Sequence, residues 1–415
     1  MSATFFLKPS RLRTVLRRHP WVYGNSVGRV EGEYADGDAV TVRGADGRFL
    51  AHGFVNDRSR LRLRLVSFER GALADGALLA ERVREAIRLR HEVLRLPERA
   101  DAYRVVHSEG DGLPGLIVDR YGDVLVLSST CLGTDRRLEP ILDALEECLS
   151  PRAILERGAS AALRDQEGLP PERGLLRGTL GEAPPIVTID GLRLEVPLDG
   201  QKTGLYLDQR ENVRRLAGLA GGRRVLDACS YVGPFGLAAA RAGAASCLLL
   251  DASADALAAA LRNAERNEVA ERVTTRQGKL NAVLRDLHDA GQRFDLVVLD
   301  PPKFAAKRKH RDAARRGYLE ANRLALRVLA PGGLLLTCSC SHALDVLALE
   351  EVVREAATRA KVRLRVLERR GAGADHPVDV QCPEGRYLKA LLCQRPALGA
   401  GEPAGDDDDP EEPAA

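Results

Sequence analysis

Hydrophobic and polar positions change their period along this chain, and each period predicts an element type. Between residues 5 and 70 the pattern is two-fold. Ala39-Val40-Thr41-Val42, the turn Ala45-Asp46-Gly47-Arg48 and the run Phe49 to Phe54 read as a β-hairpin. Arg60-Leu61-Arg62-Leu63-Arg64-Leu65 alternates strictly, which predicts a strand with a buried leucine face and an arginine row offered to solvent or phosphate. Residues 76–97 carry apolar positions at Leu78, Leu79, Val83, Ile87 and Leu94, the spacing of a helix. Strand and turn patterns return over 103–200, interrupted by a helix near 135–148. From about residue 222 strands and helices alternate. Strands are expected at 223–227, 246–251, 294–299 and 333–338, and helices at 234–243, 253–268, 311–329 and 345–360. That alternation predicts a parallel sheet with helices on both faces. Segments 362–369 and 386–394 are expected to close it as antiparallel strands, and 396–415 reads as a disordered acidic tail.

Length and composition narrow the class. A chain of 415 residues implies two or three domains. No uncharged apolar run of about 18 residues exists, so no membrane span is expected. The arginine-rich start lacks the apolar core and cleavage site of a signal peptide, and it leads straight into domain-like sequence, which disfavours a mitochondrial presequence. The cysteines, at 131, 148, 229, 247, 338, 340, 382 and 393, form no CxxC pair. They predict free thiols in a reducing cytoplasm and no zinc site. The net charge of +3 conceals an asymmetry. Seven acids and no bases fall in the last 15 residues, leaving the body at +10, and residues 1–70 hold 13 Lys/Arg against seven Asp/Glu. A basic body suits a polyanion, though an arginine-rich solvated surface gives the same average.

The candidate chemistry begins at Arg224-Val225-Leu226-Asp227-Ala228-Cys229-Ser230-Tyr231-Val232-Gly233, a strand running into a loop. Parallel sheets bind ligands at the carboxyl ends of their strands, and Gly233 permits close backbone approach. A second strand ends in Asp251, which can accept hydrogen bonds from ribose hydroxyls. The loop is not GxGxxG, which disfavours NAD. A third acid, Asp300, opens Asp300-Pro301-Pro302-Lys303-Phe304, where two prolines stiffen the backbone and the carboxylate can face a nucleobase amine. This order of motifs resembles the Rossmann-like methyltransferases over 222–340. One position departs from their pattern: Lys279 stands where an acid for the adenine amine is expected, with Asn281 or a backbone carbonyl as substitutes.

Leu334-Leu335-Leu336-Thr337-Cys338-Ser339-Cys340-Ser341-His342 places two thiols at the carboxyl end of a further strand. A thiolate adding to C6 of cytosine makes C5 nucleophilic, provided positive charge lowers the thiol pKa. With Gln201-Lys202-Thr203-Gly204-Leu205-Tyr206-Leu207-Asp208-Gln209-Arg210, Asp375-His376-Pro377 and Pro383-Glu384-Gly385-Arg386-Tyr387-Leu388-Lys389, nearly the whole chain resembles the RlmI-type 23S ribosomal RNA (cytosine-C5)-methyltransferases.

The resemblance implies an α/β protein. A PUA-like RNA-binding domain at 1–75 and a central α+β domain at 76–195 would precede a Rossmann-like class I S-adenosylmethionine (SAM)-dependent methyltransferase domain at 196–395. It implies SAM as cofactor and 23S ribosomal RNA or a large-subunit precursor as partner, with a homodimer as an open assembly. Cys340 is the expected nucleophile, with Cys338 a small buried residue beneath it. Asp300, Pro301 and Lys303 complete the expected catalytic set. Asp227, Ser230, Tyr231, Gly233, Asp251, Ser253, Asp208 and Gln209 are expected at the cofactor, and Lys202, Thr203, Lys307, Arg308, Lys309 and Arg311 on RNA. Asp375 and His376 are candidates for the base that removes the C5 proton. Trp21 reads as core or as a base-stacking ring. Two alternatives stay open: methylation of a guanine N7 or an exocyclic amine, and an assembly factor that has lost catalysis.

Overall fold

A computed structural model describes residues 3–198, 204–304 and 311–397. Contacts divide the chain into two units, 1–212 with 372–386, and 213–371 with 387–415.

The first unit contains both regions expected before the methyltransferase domain. Its six-stranded mixed sheet pairs Thr4–Leu7 parallel to Ala39–Gly44 and antiparallel to Val27–Glu31. The expected hairpin is present, Ala39–Gly44 against Phe49–Val55. A short helix, Leu12–Leu16, interrupts the all-β pattern. A second sheet of five strands spans 102–178, and the helix Gly76–Arg88 packs on it. That helix starts where the Asp75 side chain caps Leu78 N–H, and it buries Leu79, Val83, Ala86 and Ile87. Phe54 and Val66 of the first sheet share a core with this second region. A Cβ on Gly133 would lie 2.1 Å from the Phe54 ring, so the two regions meet too closely for any other residue there.

The arginine row is a correction. The strand starts only at Leu63. Arg62 donates to Asp57 at 2.6 Å and to the Tyr34 hydroxyl at 3.0 Å. Arg64 is enclosed and pairs with Glu109 at 3.4 Å and Glu167 at 3.6 Å. Only Arg60 is exposed. Periodicity correctly separates leucine from arginine, but it does not see the acids that other segments bring to the polar face. Trp21 is half-buried, and its indole N–H donates to Glu109 at 2.9 Å.

The second unit is the expected parallel sheet. In chain order it runs β1 (Arg224–Ala228), α1 (Pro234–Arg241), β2 (Ser246–Asp251), α2 (Ala254–Arg266), β3 (Val273–Gln277) and α3 (Leu280–Asp289). It continues with β4 (Phe294–Leu299), α4 (Arg311–Val328), β5 (Leu329–Ser339), α5 (Val346–Arg359), β6 (Arg365–Arg370) and β7 (Lys389–Gln394). The sheet order is β3-β2-β1-β4-β5-β7-β6, with β6 and β7 antiparallel as the closing pair. Leu226, Val297, Leu335 and Leu391 from neighbouring strands are fully buried against α4 and α5. The order reverses at β1, and ligands gather at such a point. Among the described residues no helix is long and apolar enough to cross a membrane.

Between β6 and β7 the chain returns to the first unit. There Asp375 is fully buried. Its carboxylate accepts from Arg104 N–H at 3.1 Å and pairs with Arg210 at 3.3 Å, and its carbonyl accepts from Arg90 at 2.6 Å.

Candidate active site at the carboxyl edge of the parallel sheet

The loop after β1 is built from backbone conformations that side chains resist. Cys229, Tyr231 and Gly233 have φ of 67°, 52° and 87°. Two non-glycine residues in the left-handed region cost about 1–2 kcal/mol each, so something must hold them. Asp251 at the end of β2 does so. Its carboxylate accepts from Tyr231 N–H at 2.8 Å and from Ser253 N–H at 2.9 Å. Ser230 N–H bonds the Leu250 carbonyl at 2.9 Å. The Ser253 hydroxyl caps α2 by accepting from Ala256 N–H at 3.2 Å. Asp251 and Ser253 therefore shape the loop, a role their spacing did not disclose.

Asp227 is buried and accepts one bond, from Gly236 N–H at 2.9 Å. Its other oxygen and the buried Ser230 hydroxyl have no hydrogen-bond partner among the described residues. Burial, followed by the charges of Asp300 and Asp251, pushes the Asp227 carboxyl up to about 7 against the opposing Gly236 bond. Burial also pushes the Cys229 thiol up, with Asp251, Asp300 and Asp227 adding to it. Three acids thus converge where β1, β2 and β4 end. Orphaned acceptors beside a strained loop fit a cationic, hydroxyl-bearing ligand.

Asn281 lies in the first turn of α3, and its Oδ1 is buried with no hydrogen-bond partner among the described residues. Lys279, the N-cap of that helix, is exposed.

The second half of the site surrounds Cys340. Asp300 N–H reaches the Ala228 carbonyl at 3.4 Å, tying the end of β4 to the end of β1. Pro301 is buried, and Lys303 is exposed. The Phe304 ring stands edge-on to Tyr318 of α4 at 4.9 Å and 90°. Gly317 makes room for it, since a Cβ there would come within 2.7 Å of the ring. Cys338 is wholly buried in β5, whereas Cys340, just past the strand end, is partly exposed. Burial pushes the Tyr318 hydroxyl up to about 12, with the Ser339 hydroxyl opposing the shift and the Cys340 and Asp300 charges adding to it.

Sequence reasoning assigned no role to Lys389 or Tyr318. Lys389 is paired with Ser339 across β5 and β7, and it is buried. Its Nζ donates to the Ser341 carbonyl at 2.6 Å and the Tyr387 carbonyl at 2.8 Å. Burial brings it down to about 8; Lys303 also lowers it, and Cys340 and Asp345 oppose. The usable signal was a lysine opening an otherwise apolar strand, Lys389-Ala390-Leu391-Leu392-Cys393.

Asp208 and Gln209 belong to the first unit. The Asp208 carbonyl accepts from Gly373 N–H at 3.1 Å, and buried Gln209 accepts from Asn212 at 2.6 Å. His376 is buried there, its ring 5.0 Å from that of His107 and tilted 58° to it. Burial pushes His107 down to about 2, with His376, Arg104 and Arg90 adding to it. Asp375 is held well below the carboxylate range by His376, Arg210 and the Arg104 N–H against the cost of burial, which makes it an anchor more than a base. Lys202, Thr203, Lys307, Arg308 and Lys309 lie outside the described residues, as does the side chain of Arg311.

Residues 5–68 match the model of a PUA-like domain, and 174–394 match that of an S-adenosylmethionine-dependent methyltransferase. The chain is 37% identical to ribosomal RNA large subunit methyltransferase I of Vibrio parahaemolyticus, over 95% of this chain and all of that one. It is 38% identical to the protein of that name from Shewanella denitrificans, again over 95% and 100%. A methyltransferase solved in complex with SAH shares the fold at a TM-score of 0.81 and 18% identity, covering 95% of this chain and all of that one. A SAM-dependent methyltransferase from Streptococcus mutans does so at 0.79, with the same identity and coverage.

Proposed function

The chain belongs to the ribosomal RNA large subunit methyltransferase I family, and from that premise we propose that it methylates C5 of a cytosine in 23S ribosomal RNA. The observation that carries the choice of atom is Cys340: a partly exposed thiol just past the end of β5, the strand that pairs parallel with β4, which leads into Asp300. Amine- and N7-directed transfer needs no thiol, whereas C5 of cytosine requires one.

SAM supplies the electrophilic methyl group. The loop 227–233 and Asp251 would hold it, with the orphaned oxygen of Asp227 available to one of its donors. Asn281 Oδ1 takes the adenine amine in place of the absent acid at Lys279. Asp208 and Gln209 are proposed as further cofactor residues on the family resemblance alone. On the other side Asp300, held by Pro301, accepts from the exocyclic amine of the target cytosine, and the Cys340 thiolate adds to C6. Lys202, Lys307, Arg308, Lys309 and Arg311 neutralise backbone phosphates, the Thr203 hydroxyl donates to one, and the PUA-like region adds to the grip, while Lys303 belongs with the catalytic set. Eight free cysteines suit a cytoplasmic reaction on 23S RNA or a large-subunit precursor.

The test is mass mapping of 23S RNA from cells lacking the protein, complemented with wild type or Cys340→Ala. We expect one 5-methylcytosine to vanish and to return only with wild type. Full rescue by Cys340→Ala would move the reading to a target atom that needs no thiol.

A further inference from the structure

The nucleophile assigned above needs a proton acceptor, and the same strand end provides one. Lys389 sits opposite Ser339 in the β5–β7 register, and its Nζ reaches forward to the Ser341 carbonyl. Cys340 lies in the chain between Ser339, the register partner of Lys389, and Ser341, whose carbonyl accepts from its Nζ. A neutral amine has two N–H bonds and one lone pair. The carbonyls of Ser341 and Tyr387 match the two N–H bonds, which leaves one position for a further proton.

We propose that Lys389 is a positioning and activating residue for Cys340: it takes the thiol proton and remains beside the sulfur as an ammonium. In this step the S–H bond breaks, a third N–H bond forms on Nζ, and the sulfur keeps the electron pair that attacks C6. No other reactant is required. The inference rests on the reading of Cys340 as nucleophile. Burial supports it, because an apolar strand makes the neutral amine accessible near neutral pH. The other groups facing this pocket act differently. Lys303 is exposed and repels a second cation, and His342 is lowered by burial and both lysines. Asp345 spends its carboxylate capping α5. Asp300 and Cys340 both hold the Tyr318 hydroxyl up, so a carboxylate and the thiol share this pocket, and a buried cation offsets their negative charge.

The test is the pH dependence of Cys340 alkylation by iodoacetamide, followed on the Cys340 peptide by mass spectrometry. Wild type should react with a midpoint below the ordinary thiol value of about 8.5. Lys389→Met should raise that midpoint by about one unit, a roughly tenfold slower reaction at neutral pH. Lys389→Arg, which keeps the charge, should retain the low midpoint. An unchanged midpoint in Lys389→Met would overturn the proposal. Should that variant fail to fold, the reciprocal measurement decides. Competitive acetylation of Lys389 in Cys340→Ser should show a lower lysine pKa than in wild type, and an unaltered one would overturn the inference. The reading it rests on fails separately, by methylation that survives Cys340→Ala.

Discussion

Two buried charged regions of this molecule obey opposite rules. In the first unit each deep acid has its arginine. Arg90 forks onto Asp111 at 2.6 and 2.8 Å, Arg104 onto Asp119 at 2.6 and 3.1 Å, and Arg164 meets Glu156 at 2.8 Å. At the carboxyl edge of the parallel sheet, Asp227, Asp251 and Asp300 crowd together, and Asp227 and Asp251 accept from backbone N–H. The same residue type ends at opposite extremes, with Asp375 held ionised and Asp227 pushed up to about 7. Charge satisfied within the fold stabilises the fold. Charge left short of partners is where a ligand can supply them.

The comparison breaks most visibly in the paired region. Asp375→Asn leaves the buried Arg210 facing Glu211 at 3.6 Å, and should cost about 3–5 kcal/mol, read as a lower urea midpoint. A loss near zero would mean that the network is ornamental.

At the crowded sheet edge the next effect is a pH dependence. Folded Asp227 keeps its proton up to about 7, whereas the unfolded chain releases it near 3.8. The folded state therefore binds more protons between these values, and stability falls as pH rises through that window. Asp227→Asn should remove this slope, worth on the order of 4 kcal/mol across it, by denaturation at a series of pH values. Identical slopes in both proteins would refute the raised pKa.

Asp251→Ala tests the loop. Two charge-assisted bonds to Tyr231 and Ser253 N–H disappear, so SAH affinity by calorimetry should fall by about 2 kcal/mol, a thirtyfold change. The smallest effect is Asn281→Ala, which removes one neutral acceptor and should weaken SAH by about 1 kcal/mol. Lys279→Ala should leave affinity unchanged if Asn281 and not position 279 meets the adenine.

What could be read along the chain was whatever depends on neighbours in sequence. The β/α period from 222 onward, the antiparallel closing pair and the motif order Asp227, Asp251, Asp300, Cys340 required only local pattern, because a parallel sheet brings all strand ends to one edge. The division between buried Cys338 and partly exposed Cys340 follows from the end of β5. Partners distant in sequence were not legible. Arg64 looked exposed until Glu109 and Glu167 arrived from other segments. Asp251 was legible as a cofactor candidate, but the bonds by which its oxygens also hold the loop were not. Lys389 stands 49 residues beyond Cys340, and only strand pairing sets it opposite Ser339. Sequence period fixes which face of a strand is polar. Which charges meet on that face is decided by topology, since a hydrogen bond depends on distance in space and not along the chain.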